Sequence, residues 1–354
     1  MKALVLGKGK SGTSAAAFLK AQGYEVDFAD GYDCVVASPG LRTKSELQLG
    51  CEELKRRGWK LLAVTGSKGK SSVVKVVAEA IGGVPCGNYG RPVTELISEK
   101  PGWAVVEVSS FMMETTTLPP DTFEAAAILN LQEDHLDRHG SMEVYHGLKR
   151  KLLTMAKKGF GPDATGMSRR PLWAGSYFDN EILRDNAAIA TELMRVAGLD
   201  DAKIAEAFKA FKPLPHRMNL IVEIGGVRYV DDSKATSIAA LVAGVKMAGN
   251  GIRLVAGGLP KGDNPAAALS TLTERVRKVY LIGQSAEAFF AAWNGAVDCE
   301  ICGTMEQAVE AARREAGKGE TVLLSPGTAS FDQFQSYEER GDIFARLVKK
   351  GQPK

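Results

Sequence analysis

The sequence predicts an α/β protein built from three α/β domains, and three observations carry that prediction. Short apolar runs alternate with helical periods through most of the 354 residues, the pattern of parallel sheets covered by helices. A glycine-rich loop with a lysine, Gly66-Ser67-Lys68-Gly69-Lys70-Ser71, interrupts the second strand–helix series. The prolines of Lys212-Pro213-Leu214-Pro215 punctuate the chain before a further series begins. The domains expected are 1–58, 59–213 and 214–354.

In order, KALVLG reads as a strand, KGKSG as a glycine turn, TSAAAFLKAQG as a helix and YEVDFAD as a strand. DCVVASPG is a third short strand. From Lys60 the pattern restarts with strand KLLAVTG, the loop, and helix SSVVKVVAEAIGG, followed by strands WAVVEVSS and AAAILNL. Residues 142–157 read as helical, 159–180 as loop, and 180–199 with 201–211 as a helical pair. LIVEIGG and VRYVDDS form a hairpin around Gly225-Gly226. Strand–helix alternation then runs to ETVLLSPG.

Hydrophobic content of 45% and charged content of 25% fit a soluble globular protein. A net charge of +3 is too small to argue for nucleic acid. No apolar run reaches the length of a membrane span. Cys34, Cys51, Cys86, Cys299 and Cys302 are odd in number and scattered, which argues against a disulfide framework and for the cytoplasm. Cys299-x-x-Cys302 reads as two small hydrophobes at a strand end, with a redox pair as the alternative.

The loop between Gly66 and Ser71 follows a strand and opens a helix, so its amides converge on one spot suited to phosphate oxygens. Lys70 would neutralise the β/γ-phosphates and Ser71 would reach Mg²⁺. Gly7-x-Gly9-x-x-Gly12 with Asp27 and Asp30 matches a dinucleotide fingerprint on paper. A contact to a nucleotide diphosphate through Gly7, Gly9 and Ser11, an NAD site and a structural turn stay open. Glu107 lies at the end of an apolar strand, where a carboxylate requires a partner or a metal. The next strand ends in Glu133, Asp134, His135, Asp137, Arg138 and His139, again a carboxyl-end position, and His146 follows; zinc is an alternative there. Asp231, Asp232 and Lys234 sit at another strand-to-helix junction, and the SPGTAS turn could hold a carboxylate.

Together these stretches resemble the Mur ligase family in family order over nearly the whole chain. TGSKGKSS is similar to its phosphate loop, EVSSF and EDHLDRH to its middle-domain motifs. LPHR, DDSKATS and SPGTASFDQFQSYEERG resemble its D-glutamate-adding branch. The resemblance implies a three-domain Mur ligase architecture: a small Rossmann-like UDP-substrate domain, a central ATPase-like phosphate-loop domain and a Rossmann-like amino-acid domain. It implies an ATP-dependent carboxylate–amine ligase acting on UDP-N-acetylmuramoyl-L-alanine and D-glutamate through an acyl phosphate, in cell-wall precursor synthesis. Lys70, Glu107, His135 and Lys149 would be the catalytic set. Gly66, Ser67, Lys68, Gly69, Lys70, Ser71, Ser72, Asn186, Arg217, Asp232 and Lys234 would hold ATP. Ser71, Glu107, His135 and Lys149, the last as a carbamate, would hold two Mg²⁺ ions. Gly7, Gly9, Ser11, Asn88 and Ser109 would serve the UDP-muramoyl substrate; Thr236, Lys261, Ser330, Phe331 and Tyr337 would frame D-glutamate. The partners implied are small molecules only, with a monomer and domain closure expected. Alternatives are a folylpolyglutamate synthetase-like ligase, a Mur-related ligase with another acceptor, and an inactive nucleotide-binding paralogue. Lys68, Ser72, Leu183, Ser237 and Gly327-Thr328 depart from the family pattern, and the first domain and the segment from Lys149 to Asn186 are shorter than the family leads one to expect.

Overall fold

The computed structural model describes residues 2–29, 35–38, 41–132, 135–162 and 171–350. Asp30, Cys34, Glu133 and Asp134, named above, lie outside them. The chain divides into two compact units, residues 1–179 with 183–211, and residues 180–182 with 212–354.

The first unit holds two sheets. The smaller has strands β1 (Lys2–Leu6), β2 (Glu25–Ala29), β3 (Val35–Ser38) and β4 (Leu41–Ser45), in the order β2-β1-β3-β4. Strand β2 runs parallel to β1, as a helical crossover through Lys10–Ala21 requires. Strand β3 pairs antiparallel to β1. Only residues 30–34 separate β2 from β3, too few for the crossover that another parallel strand needs. Ala3 and Val5 of β1 are buried with Ala15, Ala16 and Leu19 of the helix.

A helix over Glu46–Arg56 is absent from the sequence reading. Its first turn is fixed by Ser45, whose hydroxyl accepts from the Gln48 amide at 3.1 Å. Its Leu47, Cys51 and Leu54 belong to the same core as Leu61, Ala63, Val106 and Phe123 of the larger sheet.

That sheet comprises β5 (Lys60–Thr65), β6 (Val84–Gly87), β7 (Trp103–Glu107), β8 (Ala125–Ile128) and β9 (Gly159–Phe160), all parallel, in the order β6-β7-β5-β8-β9. Strands β5, β7 and β8 are buried almost end to end, hence their unbroken apolar sequences. Strand order reverses about β5, so the loops leaving β5, β7 and β8 emerge side by side, the position where ligands bind in such sheets. The helix expected over 142–157 is shorter: it spans Met142–Lys151, then tightens into a 3₁₀ turn, Leu152–Met155. Leu152 and Met155 stay buried through the turn, which prolongs the apolar period beyond the α-helix. Helices Arg184–Val196 and Asp201–Ala210 complete the unit.

The second unit is one six-stranded sheet: β10 (Asn219–Ile224), β11 (Val227–Asp231), β12 (Ile252–Gly257), β13 (Val276–Ile282), β14 (Asp298–Gly303) and β15 (Thr321–Leu324). The order is β10-β11-β15-β12-β13-β14, and only β10 is antiparallel. The β10–β11 hairpin turns at Gly225 and Gly226, with φ of 59° and 78°, values that suit a two-residue turn of glycines. Apolar cores cover both faces. Cys299 and Cys302 lie on edge strand β14 as free thiols. An odd separation along a strand sends the two side chains to opposite faces, so they form no redox pair.

Candidate active site

Strand β5 ends at buried Thr65, and the chain turns through Gly66 (φ 151°) and Gly69 (φ 84°) into the helix Lys70–Ile81. Left-handed backbone at Gly69 is available to glycine without steric penalty. No side chain caps this helix and no acid occupies its first turn, so its N-terminal amides and dipole face the loop. The Lys70 ammonium folds back onto the loop and donates to the carbonyls of Gly66 (2.8 Å) and Ser67 (3.2 Å).

The loop is braced from β8. The Asn130 side chain accepts from the Lys68 amide and donates to the Lys68 carbonyl, both at 2.8 Å. Its amide nitrogen also donates to Asn186 Oδ1 at 3.2 Å. Asn186 is 2% exposed, and a Cβ on Gly69 would run into its amide. The Ser67 hydroxyl donates to the Gln132 carbonyl at 2.9 Å and lies 3.0 Å from the Tyr145 hydroxyl. Asn130 and Tyr145 are therefore parts of the loop's support that the motif reading did not assign.

Glu107 ends β7 and is 2% exposed. One carboxylate oxygen accepts from the Asn88 side chain at 2.8 Å, while Oε2 is buried with no partner among the described residues. Lys149, 1% exposed, donates to the Gly66 carbonyl at 3.0 Å and to Thr65 Oγ1 at 3.4 Å, and its ammonium lies 4.6 Å from the centre of the Tyr145 ring. Ser109 caps the short helix Ser110–Thr115 by accepting from the Met112 amide. His135 is exposed and has φ 53°, a left-handed geometry uncommon outside glycine. His139 is buried; burial lowers its pKa below the usual imidazole value, against the pull of Glu114.

A cavity of about 850 Å³ also lies in the first unit, lined by Lys8, Gly9, Lys10 and Thr13 and by the apolar Phe18 and Ile97. Gly9 is the N-cap of the helix Lys10–Ala21.

The second unit has its own cluster at the carboxyl ends of β11 and β15. Asp232 accepts from Ser325 Oγ at 3.0 Å and from the Met218 amide at 3.3 Å; burial pushes its pKa up to about 7. Asp231 lies 2.7 Å from His216 Nδ1 and accepts from the Ser233 amide at 2.8 Å, and burial raises it too. The Lys234 ammonium stands 4.0 Å above the Tyr337 ring, and burial lowers its pKa, with Arg217 adding to the effect. Arg340 is wholly buried. It donates to Ser233 Oγ (3.0 Å) and to the carbonyls of Ser233 (2.9 Å), Ala329 (3.1 Å) and Thr328 (3.2 Å). It thereby joins the loop after β11 to the Ser-Pro-Gly-Thr-Ala-Ser turn after β15. Ser330 is buried in that turn, Phe331 is 69% exposed, and Lys261 is exposed.

The structure thus gathers Gly66, Ser67, Lys68, Gly69, Lys70, Glu107, Lys149 and Asn186 around one loop, and Asp232, Lys234, Ser330 and Tyr337 around another in the second unit. Arg340 and His216 were given no role from sequence; Asp231 was read there only as part of a strand-to-helix junction.

A phosphate-type loop on a parallel sheet, with a buried acid at a neighbouring strand end and a buried helix lysine reaching the loop, defines the first unit as a nucleotide-binding α/β fold. Residues 64–161 match the Mur ligase middle domain and residues 216–327 the Mur ligase glutamate ligase domain. A UDP-N-acetylmuramoylalanine–D-glutamate ligase of Acidobacterium capsulatum is 31% identical, aligned over 98% of this chain and 96% of its own. That of Nitratidesulfovibrio vulgaris is 34% identical over 88% of this chain and 77% of its own. Among solved structures, MurF ligase from Thermotoga maritima in complex with ADP shares the fold at a TM-score of 0.63 and 15% identity, covering 99% and 95% of the two chains. A folylpolyglutamate synthase/dihydrofolate synthase of Yersinia pestis, complexed with AMPPNP and Mn ion, matches at 0.60 and 15%, covering 97% and 100%. The chain belongs to the Mur ligase family, in the branch of the D-glutamate ligases. The first alignment spans 448 positions against 354 residues here, so that relative has segments this chain lacks.

Proposed function

We propose that this chain joins the L-alanyl carboxylate of UDP-N-acetylmuramoyl-L-alanine to the amine of D-glutamate, using ATP, in peptidoglycan precursor synthesis. The relatives support the substrates. The observation that carries the catalytic part is the buried, unpartnered Oε2 of Glu107, on the strand beside the phosphate loop. A buried carboxylate oxygen without a donor suits a hard cation.

Ser71, Glu107, His135 and Lys149 are the residues that would hold two magnesium ions, with Lys149 carbamylated. The carbamate nitrogen keeps one hydrogen, so donation to the Gly66 carbonyl survives, and the Thr65 hydroxyl can donate to an added oxygen. Magnesium, when bound, supplies positive charge against the phosphate oxygens during their transfer.

A carboxylate is a poor acyl donor because it has no leaving group; phosphorylation by ATP supplies one. The helix N-terminus and loop amides receive the phosphates, and Lys70 exchanges the Gly66 and Ser67 carbonyls for phosphate oxygens. Asn130 keeps the loop in shape while this happens. Gly7, Gly9 and Ser11 would take the UDP end, with the cavity beside Lys8 and Lys10 of a size suited to such a ligand. Asn88 and Ser109 would meet the muramoyl peptide, and Asn186 the adenine side. In the second unit Arg217, Asp232 and Lys234 would contact ATP, and Thr236, Lys261, Ser330, Phe331 and Tyr337 the D-glutamate carboxylates. The amine then attacks the acyl phosphate and phosphate leaves. Three functional domains, 1–58, 59–213 and 214–354, acting in a monomer, complete the reading.

The test is phosphate release from ATP and Mg²⁺ with UDP-N-acetylmuramoyl-L-alanine, with D-glutamate, with L-glutamate, and with neither; Lys70→Ala is the blank. Release that needs D-glutamate and vanishes in the blank supports the proposal. Release with a pteroyl substrate and L-glutamate instead would overturn it.

A further inference from the structure

Five side chains lock the exit of β7 to the turn that carries His135. Ser110, Phe111 and Glu114 lie on the helix Ser110–Thr115, and Arg138 and His139 on the helix Leu136–His139. His139 Nε2 lies 3.0 Å from Ser110 Oγ, and Nδ1 3.3 Å from Glu114 Oε1. Arg138 grips the same carboxylate with a two-pronged contact of 2.9 and 2.7 Å. Its guanidinium covers the Phe111 ring at 4.9 Å. Phe111 in turn lies 4.8 Å from the His135 ring and 5.5 Å from the His139 ring.

Ser110, His139 and Glu114 have the connectivity of a nucleophile–base–acid triad. Ser110 is only 2% exposed, however, so no acyl group reaches its hydroxyl. The arrangement is a clasp. The His139 amide bonds to the His135 carbonyl at 3.0 Å, one helical turn back. Whatever fixes the His139 ring therefore fixes the backbone of His135, which is held at φ 53°. Non-glycine residues persist in that region when their surroundings impose it.

We propose that His139 is a positioning residue: with Glu114 and Ser110 it sets where His135 stands relative to Glu107, and so the affinity of the metal site. This rests on the reading of Glu107 and His135 as metal ligands. Outer contacts that orient ligands typically change metal affinity about 10–100-fold when removed.

The experiment is Mn²⁺ binding to the full chain with ADP, read from the free-ion electron paramagnetic resonance signal, for wild type, His139→Ala, His139→Gln, Glu114→Gln and His135→Ala. Melting temperatures and metal-free ADP affinity are measured alongside. The expected result is a Mn²⁺ affinity lowered roughly 10–100-fold in His139→Ala and less in Glu114→Gln, with partial recovery in His139→Gln and unchanged metal-free ADP binding. Where His139→Ala does not fold, Glu114→Gln, which keeps the shape of the side chain, decides. Loss of affinity in His135→Ala with wild-type affinity in His139→Ala, or in the deciding Glu114→Gln, overturns the positioning role alone. Wild-type affinity in His135→Ala removes the metal role of His135 and the positioning role with it.

Discussion

Asn130 holds Lys68 by its backbone: the side-chain amide exchanges two 2.8 Å hydrogen bonds with the amide and carbonyl of that one residue. The Lys68 side chain is exposed. The family departure at position 68 thus falls where the loop's shape does not depend on the side chain. Asn130→Ala removes both bonds, each about 1 kcal/mol net. ATP affinity is expected to fall roughly tenfold or more, and Lys68→Asn to leave it within about twofold. Nucleotide titration by calorimetry checks both, and a large loss in Lys68→Asn would refute the backbone argument.

Gly69 has φ 84°, and a Cβ there would strike the Asn186 amide. Gly69→Ala meets two obstacles, left-handed strain of about 1–2 kcal/mol and the clash. ATP binding should be lost in Gly69→Ala and only partly restored in Gly69→Ala with Asn186→Ala, since the second change relieves the clash but leaves the strain and removes the proposed adenine contact. Full restoration would show that neither the backbone strain nor the Asn186 contact weighs on ATP binding.

Glu107 Oε2 is buried, and no donor among the described residues reaches it. Glu107→Gln removes an unpartnered buried charge and keeps an oxygen for the Asn88 contact. Its metal-free melting temperature should rise by a few degrees while Mn²⁺ binding disappears. Thermal scans with and without Mn²⁺ and ADP decide, and a drop in metal-free stability would mean that the carboxylate is satisfied within the protein.

Much of this arrangement was legible because it follows from strand period and loop chemistry. The loop after Thr65, the β10–β11 turn at Gly225-Gly226 and the position of Glu107 each have a local signal. The helix Glu46–Arg56 had one too, Ser45 followed three residues later by Gln48, a capping-box pattern. Arg340 sits on the 340, 344, 348 stripe with buried Phe344 and Val348, so periodicity places it inward. Its charge argues the other way, and only the carbonyls of Ser233, Thr328 and Ala329 explain why it is there. Those carbonyls come from distant loops, which no local pattern brings together. The antiparallel β3 follows from the short connection after β2 rather than from its own residues.

Asp232 makes stability depend on pH. Its folded pKa of about 7 lies above the ordinary aspartate value of 3.8. The neutral form is therefore favoured in the fold, and its contribution is complete below pH 3.8 and lost as pH rises toward about 7. The loss is on the order of a few kcal/mol. Asp232→Asn cannot ionise, so its melting temperature relative to wild type should climb by roughly 5–10 °C from pH 4.5 to 7.5 and then level. A constant difference across that range would place the folded pKa near the ordinary value.

Arg340 tests the acceptor half of the proposed reaction. Its guanidinium is wholly buried, and burial lowers its pKa only to about 10, so it stays charged at neutral pH. Three carbonyls and one hydroxyl share that charge. Arg340→Met would take the guanidinium donor from the carbonyls of Ser233 and Thr328, while Ala329 keeps the Leu259 amide, and destabilise the second unit by about 3–5 kcal/mol. Arg340→Lys keeps the charge but not the planar fork, and a lysine cannot span both loops at once. It is expected to fold with a lowered melting temperature and to need roughly tenfold more D-glutamate for half-maximal phosphate release, and more ATP as well. Both effects follow from the geometry: Arg340 bonds to the carbonyls of Thr328 and Ala329, just before Ser330, the proposed acceptor residue, and to Ser233, between the proposed ATP residues Asp232 and Lys234. A lowered melting temperature with unchanged D-glutamate dependence would mean that Arg340 stabilises the unit without shaping the acceptor turn.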